Sequence, residues 1–149
     1  MTVSGAGGTK TLQDPLTLGP TNTFTLTSGT LNLGSYTLTA GLFNSSGSTA
    51  RTLNFGTGKI VLTSATTSTV WTTATVTNLT VSGTPLVQCQ GGGSAVTKTI
   101  NTGALSEANS ISFSLLETTG TATYAFTANN VVKNLIIKDR KSTRLNSSH

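Results

Sequence analysis

Acid–base chemistry in this 149-residue chain would depend on very few carboxylates. Enzymes that cleave polysaccharides need clustered carboxylates in a groove. Before the last eleven residues, the sequence offers only Asp14, Glu107 and Glu117. Asp14 precedes Pro15, a pair typical of turns, and the two glutamates lie at the edges of a strand segment, where they act as solubilising charges. We therefore expect no catalytic residues and a protein that is not an enzyme.

Nucleophilic, metal and phosphate chemistry lack their usual residues as well. Cys89 is the single cysteine, so no intrachain disulfide can form, and the single histidine, His149, lies at the far end of the chain. We interpret Cys89 as a packed apolar side chain. The GGG segment at 91–93 lacks the Lys-Ser/Thr that follows in a phosphate-binding loop, which favours a flexible turn. The sequence predicts no metal site and no cofactor.

The net charge of +5 depends strongly on the last eleven residues, DRKSTRLNSSH. All eleven match one reading frame of a common sequencing-library adapter. We therefore interpret 139–149 as a non-native tail, expect it to be disordered, and exclude it from the fold. The remaining six basic and three acidic residues leave +3.

The basic residues outside this tail are isolated from one another. They are Lys10, Arg51, Lys59, Lys98, Lys133 and Lys138. Single lysines beside strands usually protect sheet edges, and a nucleic-acid surface needs a denser cluster. Arg51 and Lys98 occupy matching repeat positions and could align on one face, but two charges do not make a groove. We expect no nucleic-acid partner.

Aromatic residues offer one further hypothesis about binding. Trp71 with Tyr36 and Tyr124 could form a surface that stacks on glycans. The favoured interpretation places Trp71 in the core or at the capped end of a coil.

The composition favours a β protein with a hydroxylic surface. Threonine occurs 33 times and serine 17 times, whereas Leu, Ile, Val and Phe together make about 24% of the chain, above the rough 20% floor for disordered chains. Threonine is β-branched and favours strands.

The elements that carry these residues are short alternating strands. Residues 1–20, rich in glycine and proline, are expected to form a loose lead-in, and they contain no apolar segment that could insert into a membrane. From Thr21 onward apolar and hydroxylic residues alternate, with glycines as punctuation. The same pattern recurs at 52–64, 75–88, 98–103, 110–116, 123–128 and 131–138. The segment 103–110 could form a helical turn.

Repeated strings indicate how these strands are arranged. TLNLG at 30–34 returns as TLNFG at 52–56, RTLNFG at 51–56 as KTINTG at 98–103, and NLTV at 78–81 as NLII at 134–137. We predict an all-β fold, a parallel β-solenoid (β-helix) of about five coils in one domain, 21–138, that is part of a longer protein. An antiparallel β-sandwich is the alternative. Asparagines recur beside the strands and could stack as a ladder or serve as turn residues: Asn32, Asn54, Asn78, Asn101 and Asn134.

The strings TLTSGTLNLGSYTLTAGLFNSS, ARTLNFGTGKIVLTS and KTINTGALSEANSISFS resemble the Thr/Asn/Gly-rich repeats of phage structural and tail-fibre-like proteins from marine metagenomes. More distantly, they resemble the β-helical stalks of bacterial surface adhesins. The resemblance implies a structural segment of a phage tail fibre or virion-associated appendage, located in the virion or outside the cell. It implies other virion or appendage subunits as partners, with a homotrimer as one arrangement. An adhesin that binds host-surface glycans is the alternative, and a depolymerase fragment is the least favoured hypothesis.

Overall fold

The chain coils into a parallel β-solenoid of about six turns. The computed structural model describes residues 1–93, 95–116, 122–127 and 129–138. Every ladder between the described strands is parallel, so the solenoid prediction is confirmed and the antiparallel sandwich is wrong.

Three sheets, here called sheets 1, 2 and 3, surround one apolar core. Sheet 1 contains β1 (Thr2–Val3), β4 (Thr23–Leu26), β7 (Leu42–Asn44), β10 (Ser68–Thr72), β13 (Thr97–Asn101) and β15 (Thr123–Phe126). Sheet 2 contains β2 (Thr9–Thr11), β5 (Gly29–Asn32), β8 (Arg51–Asn54) and β11 (Leu79–Ser82). Sheet 3 contains β3 (Leu16–Thr17), β6 (Thr37–Ala40), β9 (Lys59–Leu62), β12 (Leu86–Cys89), β14 (Ile111–Leu116) and β16 (Val132–Lys138).

Alternation along each strand directs apolar side chains inward and hydroxyls outward. In sheet 2, Leu31 pairs with Leu53, which pairs with Val81, and all three are buried. Because each coil repeats this alternation, like side chains stack in columns along the solenoid axis. Outward on the same sheet runs a column of threonines: Thr9, Thr30, Thr52 and Thr80.

Sheet 1 contributes a column of aromatic rings to the core. The rings of Phe24 and Phe43 stack at 6.0 Å between centroids, and those of Phe43 and Trp71 at 4.3 Å. Trp71 then meets Phe113 of sheet 3 edge to face at 5.8 Å. These contacts cross the interior and join the two sheets.

The corners after β5 and β8 have an Asn-x-Gly sequence with a shared geometry. The Asn54 Oδ1 atom accepts a hydrogen bond from the Gly56 amide at 2.9 Å, and Asn32 does the same for Gly34 at 3.0 Å. Gly56 has φ 54°, and a Cβ there would lie 2.2 Å from the Gly34 carbonyl oxygen. The corner therefore needs glycine for its backbone conformation and for the close approach of the preceding coil.

A single asparagine ladder, one of the two alternatives for these residues, is wrong, because the five residues belong to three sheets. Asn32 and Asn54 pair in sheet 2, but Asn101 lies in sheet 1 and Asn134 in sheet 3. Asn78 has φ 57° in the turn before β11. The turn alternative holds for four of the five, since Asn101 also accepts a bond from the amide two residues later, whereas Asn134 lies within strand β16.

Residues 1–20 are not a loose lead-in. Their strands β1, β2 and β3 pair with β4, β5 and β6, so they form a first coil, which explains about six turns where about five were expected. These strands are only two or three residues long, and the alternation pattern is too short there to be recognised.

The segment expected to make a helical turn forms a 3₁₀ helix at Glu107–Asn109. It takes the place of a strand in the fifth coil of sheet 2. The Asn109 Oδ1 atom accepts a hydrogen bond from the Val81 amide at 3.0 Å, so the helix covers the edge of β11.

Candidate functional site

The carboxylates of the described residues do not form a pair. Asp14 is exposed in the first coil, between β2 and β3, and Glu107 is exposed in the 3₁₀ helix of the fifth coil. Four coil spacings of about 4.8 Å place them about 19 Å apart along the axis. Glu117 lies outside the described residues, as does the tail 139–149. Within the described ranges, no group of three His, Cys, Asp or Glu side chains could hold a metal ion.

Cys89 and Trp71 both lie in the core. Cys89 is 1% exposed and stacks between Leu62 and Leu115, as the packed-side-chain interpretation predicts.

Trp71 is fully buried, so its face cannot stack on a sugar. Tyr36 is in the second coil and Tyr124 in the sixth, so these two rings share no surface with each other. The GGG segment at 91–93 lies in the irregular connection between β12 and β13.

The structure buries two cations that the sequence interpretation placed at the surface. Arg51 is 2% exposed in sheet 2 and Lys98 is 1% exposed in sheet 1, so they do not align on one face. A signal was available: Arg51 alternates with Leu53, and Lys98 with Ile100, which puts both basic residues at inward positions.

Arg51 ties together the turns of two neighbouring coils. Its Nε donates to Ser45 Oγ at 2.8 Å and its Nη2 to the Ser45 carbonyl at 2.9 Å. Its Nη1 donates to the carbonyls of Thr49 at 3.1 Å and Thr77 at 2.9 Å, and Nη2 also donates to the Thr75 carbonyl. Ser45 and Thr49 belong to the turn after β7, and Thr75 and Thr77 to the turn after β10. This group of contacts, here called the arginine clamp, is a structural feature.

Both buried cations have neutral contacts that offset part of their desolvation. Burial lowers the pKa of the Arg51 guanidinium from its ordinary value, and the group stays protonated at neutral pH. The Lys98 ammonium lies 5.5 Å from the centroid of the Tyr124 ring, within reach of a cation–π interaction.

An open groove of about 570 Å³ runs along the start of the strands of sheet 3. Lys59 and Lys133 contribute to its lining, together with Ser112 and Asn134. The Asn134 amide donates to Ser112 Oγ at 3.3 Å, and the Lys59 ammonium donates to Gln88 Oε1 at 3.2 Å. Cations, hydroxyls and amides can bind a hydroxylated or anionic ligand. Among the residues that the structure describes, the lining contains no carboxylate, thiol or imidazole for acid–base or nucleophilic catalysis.

The only helix in the described ranges is the three-residue 3₁₀ helix, so none there is long and apolar enough to cross a membrane. Comparison with known proteins found no matching family model, curated protein or solved structure.

Proposed function

We propose that this chain is a non-enzymatic structural segment of a phage tail fibre or a similar virion-associated, extracellular appendage. The observation that carries the proposal is the continuous stacking of apolar columns inside three parallel sheets, with hydroxylic columns outside. Such a body suits a mechanical role because each coil is hydrogen-bonded to the next along the whole axis.

The dimensions and surface also support a role as a stiff spacer. Six coils at about 4.8 Å each give a rod about 29 Å long. Its threonine-rich exterior hydrogen-bonds to water without a large net charge. The partners we propose are other subunits of the same virion or appendage, and a homotrimer is the arrangement that the resemblance implies.

The test is the genomic neighbourhood together with the composition of purified virions. We expect flanking tail or capsid genes and peptides of this chain in a purified virion fraction, detected by mass spectrometry. A flanking gene for an outer-membrane translocator, with peptides only in bacterial surface fractions, would overturn the phage assignment in favour of an adhesin.

Host-glycan recognition is the second candidate function, and the groove on sheet 3 is the observation that favours it. Its two lysines and its amide and hydroxyl groups suit an acidic glycan. The test is a glycan array probed with the wild type and with a Lys59→Ala/Lys133→Ala variant. The matched control is Lys10→Ala, an exposed lysine outside this groove. Binding that the double variant loses and the control keeps would support the site, whereas equal binding by all three would exclude it.

A depolymerase fragment stays the least favoured function. The expected result is no release of reducing ends from a panel of bacterial capsular polysaccharides. Release above that of a heat-denatured sample would contradict the non-enzymatic proposal.

A further inference from the structure

The outward face of sheet 2 carries two neighbouring columns of short polar side chains. One is the threonine column described above. The other lies two residues further along each strand and consists of Thr11, Asn32, Asn54 and Ser82. All eight side chains are exposed or half-buried, each carries a hydroxyl or an amide, and none is charged. The face is therefore a neutral surface that can donate and accept hydrogen bonds.

These eight side chains form a regular lattice. The four strands of sheet 2 pair residue for residue without a shift of register, whereas the ladders of sheets 1 and 3 contain shifts at Thr69/Trp71 and Ile111/Ser112. Neighbouring strands repeat about every 4.8 Å, and positions two residues apart repeat about every 6.6 Å along a strand. The lattice has two columns and four rows and is about 14 Å long across the strands.

Several groups of the lattice are held in place before any ligand binds. The side chains of Asn32 and Asn54 are fixed by the hydrogen bonds that they accept from the Gly34 and Gly56 amides. Threonine is β-branched, so its side chain has few rotamers to lose. A surface whose groups are already fixed loses little entropy when a ligand binds to it.

The composition of this face argues against most other classes of ligand. Protein partners bind chiefly through tryptophan, tyrosine and arginine anchors, and a charged ligand needs an opposite charge. Polysaccharide surfaces stack on exposed aromatic rings. The eight positions carry none of these groups. The outward columns of the other two sheets are less uniform, because they include Leu42, Lys59 and Leu86.

We propose that the outward face of sheet 2 binds ice. Ice presents rows of water molecules whose spacings are close to both repeats of the lattice, and its molecules donate and accept hydrogen bonds as hydroxyls and amides do. The methyl groups of the threonines restrict the orientations of the water between the hydroxyls, which favours an ordered layer. This activity is separate from the structural role proposed above, since it uses only the outward side chains of one sheet.

Thermal hysteresis, the gap between the melting and freezing temperatures of a seeded ice crystal, tests the proposal. We expect the full chain to open a gap that grows with protein concentration and to give the crystal flat facets. Thr52→Lys places a long charged side chain in the middle of the lattice and should abolish the gap. The matched control is Thr25→Lys, because Thr25 lies outward on sheet 1 with strands on both sides and should keep the gap. No gap with the wild type, or equal gaps with both variants, overturns the proposal.

Partition into a slowly growing ice front gives a second measurement and a check on folding. Thr52→Tyr should be incorporated at least about tenfold less than the wild type, which corresponds to about 1.4 kcal/mol of binding free energy. Tyrosine favours strands, and the emission of the buried Trp71 shows that the variant is folded. Equal incorporation of the folded variant contradicts the assignment of the face. Binding to cellulose or chitin powder that Thr52→Tyr loses, without incorporation into ice, would assign the face to a crystalline polysaccharide and overturn the proposal.

Discussion

Replacing Arg51 by methionine should be among the most destabilising single changes in this chain. Methionine keeps an unbranched apolar side chain, shorter than that of arginine, and removes all the donors of the arginine clamp. The clamp involves the carbonyls of Ser45, Thr49, Thr75 and Thr77 and the Ser45 hydroxyl. These groups belong to two successive coils, so their loss loosens the stacking of one coil on the next.

The expected loss of unfolding free energy follows from the carbonyl acceptors that lose their donors when Arg51 is replaced. A buried acceptor without a donor costs about 1–3 kcal/mol. If water reaches two of the four carbonyls, the other two cost about 2–6 kcal/mol, with a central value of about 4 kcal/mol. That is a large share of the roughly 5–15 kcal/mol that stabilises a typical domain. Arg51→Lys keeps the charge and fewer donors, and should cost about half as much.

Chemical denaturation at equilibrium measures this loss. Trp71 is the single tryptophan and is fully buried, so its emission reports unfolding, with far-ultraviolet circular dichroism as a second probe. Lys59→Met is the matched control, because Lys59 lies in the same coil, is half-buried and makes one side-chain hydrogen bond. The control should cost less than about 1 kcal/mol. If Arg51→Met costs no more than Lys59→Met, the clamp does not hold the coils together and the reasoning is refuted.

Three further predictions concern the core and its corners. Trp71→Ala should lower the free energy of unfolding by about 3–5 kcal/mol, and Trp71→Phe should lower it clearly less because phenylalanine keeps a ring in the aromatic column. Circular dichroism during denaturation measures both losses, and equal losses would contradict the stacking. Gly56→Ala should lower the free energy of unfolding by more than about 2 kcal/mol in the same assay. Gly7 also has a positive φ, but no atom lies within 4 Å of a Cβ added there, so Gly7→Ala should cost only about 1 kcal/mol of that free energy. The Cys89 thiol should react with a thiol reagent at least about 1,000-fold more slowly in native buffer than in denaturant, because a buried thiol reacts only when the protein opens. Rapid reaction in native buffer would contradict its buried position.

Sequence reasoning predicts the inward face of each strand but not the sheet to which a strand belongs. The offset of 22 residues between TLNLG and TLNFG is the true register, since Leu31 pairs with Leu53. The similar KTINTG segment lies on another sheet, because Ile100 pairs with Trp71 in sheet 1. All three strands of a coil carry the same alternation, so a matching string does not identify the face. The number of residues in a coil also varies: Phe24 pairs with Phe43, 19 residues later, whereas Trp71 pairs with Ile100, 29 residues later.

The candidate site was harder to predict for physical reasons. The groove on sheet 3 combines Lys59 of the third coil with Lys133 of the sixth, residues that only the coiling brings to one surface. The usual preference of arginine for the surface predicts an exposed Arg51, whereas its alternation with Leu53 points the side chain inward. Burial of an arginine requires several carbonyl acceptors, and these come from turns that the sequence pattern does not describe.

Distances between nitroxide labels on the outward threonine column of sheet 2 test the parallel solenoid most directly. Thr9, Thr52 and Thr80 lie on this column, in the first, third and fourth coils. At about 4.8 Å per strand, cysteine-linked labels should be about 10 Å apart for the pair at 9 and 52 and about 14 Å apart for the pair at 9 and 80. Dipolar broadening in both double variants, weaker in the second, is the result we expect. No broadening for the pair at 9 and 80 would contradict the stacking of successive coils.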